Sequence, residues 1–249
     1  MRKNNQFYVR KAHRYLGPII GIQFLMWALG GLYFSWSNMD VIHGDPYIQQ
    51  NQSISSENNW VSPTEVIQEI ENLHNDLVIE KVQVVTILGD PVYQIFYSSK
   101  GTNYVQLAYA ETGEFRLPLS QEEAKEVASS SFIPNSNITS ITLVDIENID
   151  AHHEYRGNPL PAYAITFDHS TSSILYISKE QGTLQKIRID KWRAFDFLWM
   201  LHTMDYSTRD DFGNILLKTF SILGLATIFS GFILFIMSSP SLKKRKNRT

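Results

Sequence analysis

Three histidines stand where an imidazole could hold iron or a transition metal: His13, His43 and His202. Neutral imidazole ligates haem and first-row metals, and a nearby carboxylate can add a ligand or fix the ring's tautomer. Asp45 lies two residues after His43, and Asp205 three after His202. His43, His202, Asp45 and Asp205 are therefore candidate metal ligands. His13, His43 and His202 are candidates for haem b. The competing reading is that all three are polar interface residues bonded to backbone or lipid headgroups. His13 and His43 are thirty residues apart, about 45 Å if the stretch between them is helical, so they cannot share one ion.

Other chemistry is poorly represented. His152-His153-Glu154-Tyr155-Arg156-Gly157 falls short of a zinc-protease HExxH, because Gly157 stands where the second histidine belongs. There is no phosphate-binding P-loop, no G-x-S-x-G elbow and no glycine fingerprint after a strand. Zero cysteines exclude disulfides, thiolate metal sites and a cysteine nucleophile. No acid/base pair is singled out, and no catalytic residue is assigned.

These candidates are positioned by two apolar runs. Leu16 to Trp36 carries no charge and is long enough to cross roughly 30 Å of hydrocarbon. Arg10, Lys11 and Arg14 precede it, and Trp27, Tyr33 and Trp36 lie toward its far end, the order expected of a span leaving the cytoplasm. A cleavable signal is disfavoured, because the run is long and ends in bulky Tyr33-Phe34-Ser35-Trp36. A second run, Ile215 to Met237, is followed by Lys243, Lys244, Arg245, Lys246 and Arg248. Both termini are thus predicted cytoplasmic, with residues 38–213 outside. Gly17 and Gly21 form a GxxxG, and Ala226 and Ser230 a small-xxx-small pair. Either could pack the spans together or form a homodimer through them. Lys218 is predicted to snorkel to the outer interface.

Charge divides the chain sharply. Residues 1–37 and 238–249 contain no Asp or Glu and hold ten of the 22 Lys and Arg, so the intervening segment carries 12 basic against all 25 acidic residues. Such a segment repels nucleic acid, which is excluded as a partner.

The outer segment reads as α+β. After a polar linker at 38–59, Ser62-Pro63-Thr64-Glu65 has the form of a capping box, with Val66, Ile70 and Leu73 on one helical face. Strand-like runs follow at Leu77–Leu88, Pro91–Ser98 and Asn103–Ala110, separated by glycine turns. Ser120-Gln121-Glu122-Glu123 then opens a second helix, with strand-like runs at Ile138–Ile146, Pro161–Phe167, Ser173–Ser178 and Thr183–Ile189. Pro91-Val92-Tyr93-Gln94-Ile95-Phe96 answers Pro161-Ala162-Tyr163-Ala164-Ile165-Thr166 at a shift of 70, and Gly113 answers Gly182 at 69, whereas the helix starts differ by 58. This is the mark of a duplication with an insertion near 150–158 in the second copy. A copy of about 60 residues is marginal alone, so the two are expected to share a core or dock together. Beyond them, residues 190–206 form an aromatic stretch in which Trp192, Phe195 and Trp199 recur at helical spacing. That suits an interfacial anchor or the wall of a ligand site.

The helix-then-hairpin units, with Pro-x-Tyr-x-Ile opening a strand and a turn glycine closing a hairpin, resemble tandem PepSY domains. Arg10-Lys11-Ala12-His13-Arg14-Tyr15-Leu16-Gly17 and Leu201-His202-Thr203 are similar to the membrane-flanking motifs of the PepSY-associated transmembrane family. The resemblance implies a cytoplasmic tail at 1–14, a span at 15–37, the linker at 38–59, PepSY-like units at 60–118 and 119–189, an interfacial helix at 190–206, a second span at 212–237 and a basic tail at 238–249. It implies a non-enzymatic binding or regulatory module for a peptidase or other envelope partner. It also raises an alternative, because some larger relatives are ferric-siderophore reductases that hold haem between four membrane helices. Trp36, Trp192, Phe195, Trp199 and Lys218 are the expected membrane-interface residues, and the lipid bilayer is an expected partner.

Overall fold

The computed structural model describes residues 5–49, 59–73 and 76–239. Arg2 and Lys3, the linker residues 50–58 and the basic tail with Lys243, Lys244, Arg245, Lys246 and Arg248 lie outside the described residues. The chain divides into two compact units, Met39–Arg193 and Met1–Asn38 with Ala194–Thr249.

The first unit is α+β, with two antiparallel four-stranded sheets. It opens with a short helix, α2 (Met39–His43), and a 3-10 turn at Asp45–Tyr47. Ile48 then bridges Phe132, so part of the expected linker is folded into the domain. Helix α3 (Pro63–Leu73) precedes strands β1 (Leu77–Ile87), β2 (Asp90–Ser99), β3 (Thr102–Tyr109) and β4 (Phe115–Arg116), paired in that order. Helix α4 (Gln121–Ser131) precedes β5 (Ile138–Val144), β6 (Ala162–Phe167), β7 (Ile174–Ser178) and β8 (Leu184–Arg188), again paired in sequence.

The reasons for these elements are local. Leu88 and Gly89 both take positive φ, at 53° and 97°, as do Lys100 and Gly101 at 50° and 77°. Two such residues in succession make the tight turn whose twist matches paired strands. Ser120 accepts a hydrogen bond from the Glu123 N–H while the Glu123 carboxylate accepts from the Ser120 N–H, a complete capping box. Ser62 is simpler, its hydroxyl accepting only from the Thr64 N–H at 3.3 Å.

The two halves match bond for bond. The Ala110 N–H donates to the Pro91 carbonyl as the Lys179 N–H does to Pro161. The Gly113 N–H meets the Tyr109 carbonyl as Gly182 meets Ser178. The Val61 N–H bonds the Ala110 carbonyl as Leu119 bonds Lys179. Even the tyrosines correspond, with the Tyr93 hydroxyl donating to the Val61 carbonyl and the Tyr163 hydroxyl to that of Leu119.

Burial follows the pleat. One face of the first sheet, with Tyr93, Ile95, Tyr97, Ala108 and Ala110, packs on Val66 and Ile70 of α3. Its other face, with Ile87, Val92 and Leu107, joins α4 residues Ala124, Val127 and Ala128 and sheet residues Tyr163, Ile165, Leu175 and Ile177 in one continuous core. The halves therefore share a core, as their size requires.

The second unit contains α1 (Asn5–Trp36), the C-terminal part of α5 (Asp190–Thr203) and α6 (Ile215–Ser238). Phe7–Trp36 and Ile215–Ser238 are each long and apolar enough to cross a membrane. They pack through Gly224, where a Cβ would lie 2.9 Å from the Phe24 ring, and near Gly231, where one would lie 3.5 Å from His13. The α6 glycines thus admit the α1 side chains. Gly17 and Gly21 have no heavy atom of this kind within 4 Å and take no part in that contact.

Candidate functional site

The largest cleft in the α+β unit runs between the two halves and encloses about 820 Å³. Its walls include consecutive residues of β1, Gln83 to Thr86, and of the turn into β8, Gln181 to Gln185. Consecutive lining residues mean that strand edges, rather than one pleat face, look into the cleft. A buried polar chain crosses between the halves here: the Gln83 amide donates to the Gln94 side-chain oxygen, and the Gln94 amide to the Gln181 carbonyl. Gln94 is fully buried, so these bonds satisfy a group that would otherwise be costly to enclose. Gly182 takes φ 73° where the halves touch, and a Cβ there would come within 2.4 Å of Ile87 Cδ1.

A smaller cleft of about 340 Å³ continues along β8, lined by Leu184 to Arg188 with His43, Asp45, Ile48 and Trp192. Arg188 is buried, stacks 3.9 Å from the Trp192 ring centre and donates to the Glu154 carbonyl. The Glu154 carboxylate accepts from Arg193 at 2.7 Å and from the Tyr176 hydroxyl at 2.9 Å. Burial, then the Glu154 charge and hydrogen bond, push the Tyr176 hydroxyl above the usual phenol range. It is therefore a fixed proton donor.

The predicted site residues divide between the units. His43, Asp45 and Trp192 line the smaller cleft in the company of Lys186 and Arg188, a cationic setting that opposes metal binding. His13, His202, Asp205, Phe195, Trp199, Trp36 and Lys218 belong to the helical unit. His13 Nδ1 lies 2.8 Å from the Ser230 hydroxyl, which itself donates to the Thr227 carbonyl. With the hydroxyl proton committed to Thr227, His13 Nδ1–H is the donor of this bond.

His202 ends α5 in an aromatic box, its ring centre 6.1 Å from both Trp27 and Phe34 and stacked on Trp199. Phe195 packs 4.8 Å from Phe34. The last α5 carbonyls are all bonded: Gln23 donates to Leu201 at 3.0 Å, Trp27 to His202 at 2.9 Å and Asn214 to Thr203 at 3.0 Å. Side chains of α1 and of the α6 cap thereby satisfy carbonyls at a helix end that have no partner within the helix. His202 Nδ1 is a buried nitrogen with no hydrogen-bond partner among the described residues.

Asp205 is no ligand in this arrangement. Its carboxylate accepts from the Thr208 hydroxyl, the Asp211 N–H, the Thr208 N–H and Ser207, which hold it well below the usual carboxylate range. It knits the α5–α6 connection, with Asp196 paired to Arg209 beside it. Trp36 is 81% exposed. Lys218 is exposed on the first turn of α6, whose cap is Asn214. Among the described residues no group of three or more His, Asp or Glu is placed to hold a metal ion.

Sequence reasoning missed Lys81, Lys186 and Arg188, because their proximity depends on sheet order. The signal that was available is the charged pair Glu80-Lys81 inside a strand-like run, a pattern typical of an edge strand.

No family model matches the chain. No curated protein matches it either. Among solved structures it is similar to a candidate lipoprotein from Clostridium difficile 630, at 16% identity over 53% of this chain and 95% of that one, with a TM-score of 0.23.

Proposed function

We propose that this chain is a membrane-anchored binding module, in which two spans hold a pair of PepSY-like units on the outer side of a bacterial cytoplasmic membrane to engage a protein or peptide of the envelope. The observation that carries the reading is the conjunction of two apolar helices with an α+β unit whose largest cleft is walled by strand edges. Strand edges bind polypeptide through main-chain hydrogen bonds and need no catalytic set. Two measurements test it. A reporter active only in the cytoplasm, fused after Thr249, reports the side of the C-terminus. A single cysteine at Glu114, in a chain with none of its own, reports by membrane-impermeant maleimide labelling of intact cells stripped of any outer barrier. An active reporter with a labelled Glu114→Cys supports the module. An inactive reporter or an unlabelled cysteine refutes its topology.

A second reading, a haem- or metal-handling subunit, draws on the unpartnered His202 Nδ1 and on His13 as a further imidazole between the two apolar helices. Trp27 marks the level of His202 on α1, fourteen residues beyond His13, so the two rings lie about 21 Å apart along the helix. They do not fit bis-histidine ligation of one haem within this chain. A Soret band lost on His202→Ala would restore that reading.

A further inference from the structure

The two clefts form one groove, because Ile48, Leu184 and Gln185 line both. Its β1 wall has a definite hydrogen-bonding polarity. The two-residue turn Leu88-Gly89 is closed by the pair Ile87–Asp90, which in such a hairpin exchanges both its hydrogen bonds. Bonded and non-bonded pairs then alternate, so Ile87, Val85 and Gln83 face β2 with their backbone groups, while Thr86, Val84 and Val82 turn theirs away. Among the described residues β1 is an outer strand of its sheet, paired only with β2. A bulge between Ile79 and Lys81 ends the regular edge on the other side. What remains is a short straight edge with a row of donors and acceptors aimed outward.

Charge selects what such an edge would take. Lys81, Lys186 and Arg188 line the groove, against Asp45 as the one acidic lining residue among the described residues, on a segment that carries 25 acidic and 12 basic residues in all. A cationic groove attracts carboxylates at short range, while the net negative charge of the domain as a whole opposes the approach of a second copy.

We propose that the groove binds an extended acidic segment of a partner protein, which adds as a strand to β1 with its carboxylates toward Lys81 and Lys186. Main-chain bonds to Val82, Val84 and Thr86 supply affinity, and the lysines supply the preference for acidic side chains. The proposal rests on the binding-module reading and specifies its ligand.

The test uses the full chain in lipid nanodiscs and three fluorescein-labelled octapeptides. One alternates Glu and Val, one alternates Lys and Val, and one is the Glu/Val peptide with every second amide N-methylated. The Glu/Val peptide should bind, and both others should bind at least about tenfold more weakly, the scale of one or two lost charge-assisted contacts. The double variant K81E/K186E should invert the order of the acidic and basic peptides. Val84→Pro removes an N–H that the β1–β2 ladder does not use, as proline tolerates at a sheet edge, and should cost about tenfold with unchanged circular dichroism. Equal binding of the N-methylated peptide, or of Val84→Pro, overturns strand addition. A Val82→Cys variant that forms disulfide dimers in the membrane also overturns it, by assigning the edge to a second copy. If no peptide binds but a photo-cross-linker at Gln83 still captures an envelope protein in cells, the ligand is wrong and the module stands. If Gln83 also captures nothing, both fall.

Discussion

The two helix-plus-sheet halves are built from the same hydrogen bonds yet solve one problem differently. A sheet has two faces, and a single helix covers one of them. In the first half α3 covers the Tyr93–Ile95–Tyr97 face, and the second half covers the opposite face through the shared core. In the second half the equivalent face, Tyr163–Ile165–Phe167, faces that shared core, and its far side would be bare. The loop between β5 and β6, residues 145–161, closes it, whereas the first half spends only Leu88 and Gly89 at that point. Tyr155 stacks on Tyr176 with ring centres 4.5 Å apart and 9° between planes, over Val144 and Ala162. The insertion is the lid of the last open sheet face.

The comparison breaks first at Tyr155. It is fully buried, and its hydroxyl donates to the Pro159 carbonyl. Tyr155→Ala should destabilise the chain by about 4 kcal/mol, the scale of an aromatic truncated in a core. Urea unfolding followed by tryptophan fluorescence measures it. A loss under about 1 kcal/mol would mean that the loop is not what seals the sheet.

The turn glycines give the next contrast. Gly113 and Gly182 share one φ, near 75°, and one hydrogen bond, but a Cβ on Gly182 meets Ile87 at 2.4 Å and Leu119 at 2.9 Å, while on Gly113 it meets the Val61 side chain at 3.3 Å and Val66 at an ordinary 3.7 Å. Gly182→Ala should cost about 3 kcal/mol by left-handed strain plus overpacking, and Gly113→Ala about 1–2 kcal/mol by strain alone. Equal losses would show that the contact between the halves yields easily at Gly182.

Much of this contrast is legible in the sequence. Alternating apolar residues and paired turn residues mark seven of the strands, and the matched Pro91 and Pro161, Gly113 and Gly182 mark the duplication. Strand β4, Phe115–Arg116, is too short to carry a period. The insertion at 150–158 reads as an exposed loop because Tyr155 sits among His, Glu, Arg and Gly, and only the bare face beneath explains its burial. Residues 39–49 read as linker because Val41-Ile42 and Tyr47-Ile48 are short apolar pairs without periodicity; Ile48 is held because a partner, Phe132, bridges it. The groove is the least legible feature. Lys81 and Lys186 are over a hundred residues apart, and although Lys81 hints that β1 is an edge strand, nothing local places β8 across the same cleft. Likewise Gly17 and Gly21 carry a helix-packing motif, yet the contact in the structure falls on Gly224 and Gly231, since composition does not choose which face of a span meets its neighbour.

The helix caps provide the smallest contrast, and one that pH can read. Ser120 and Glu123 satisfy each other's backbone N–H groups, and Arg116 donates to the Glu123 carboxylate at 2.6 Å. Desolvation raises the Glu123 pKa, but the bonds from Ser120 and then the Arg116 charge outweigh it, and the carboxyl ends below its ordinary value. A depressed folded-state pKa means that the stabilisation is present above the unfolded carboxylate pKa and disappears as the pH falls through the folded one. Ser62 has only its own hydroxyl bond to Thr64. Ser120→Ala should therefore cost about 1 kcal/mol at neutral pH and Ser62→Ala about 0.5 kcal/mol. The Ser120→Ala penalty should shrink as Glu123 is protonated, because protonation removes the carboxylate arm of the same box, while the Ser62→Ala penalty stays flat. Parallel urea titrations of both variants from neutral pH down through the carboxylate range check this. Parallel shrinkage at both caps would place the acid sensitivity outside Glu123 and leave the two helix starts electrostatically alike.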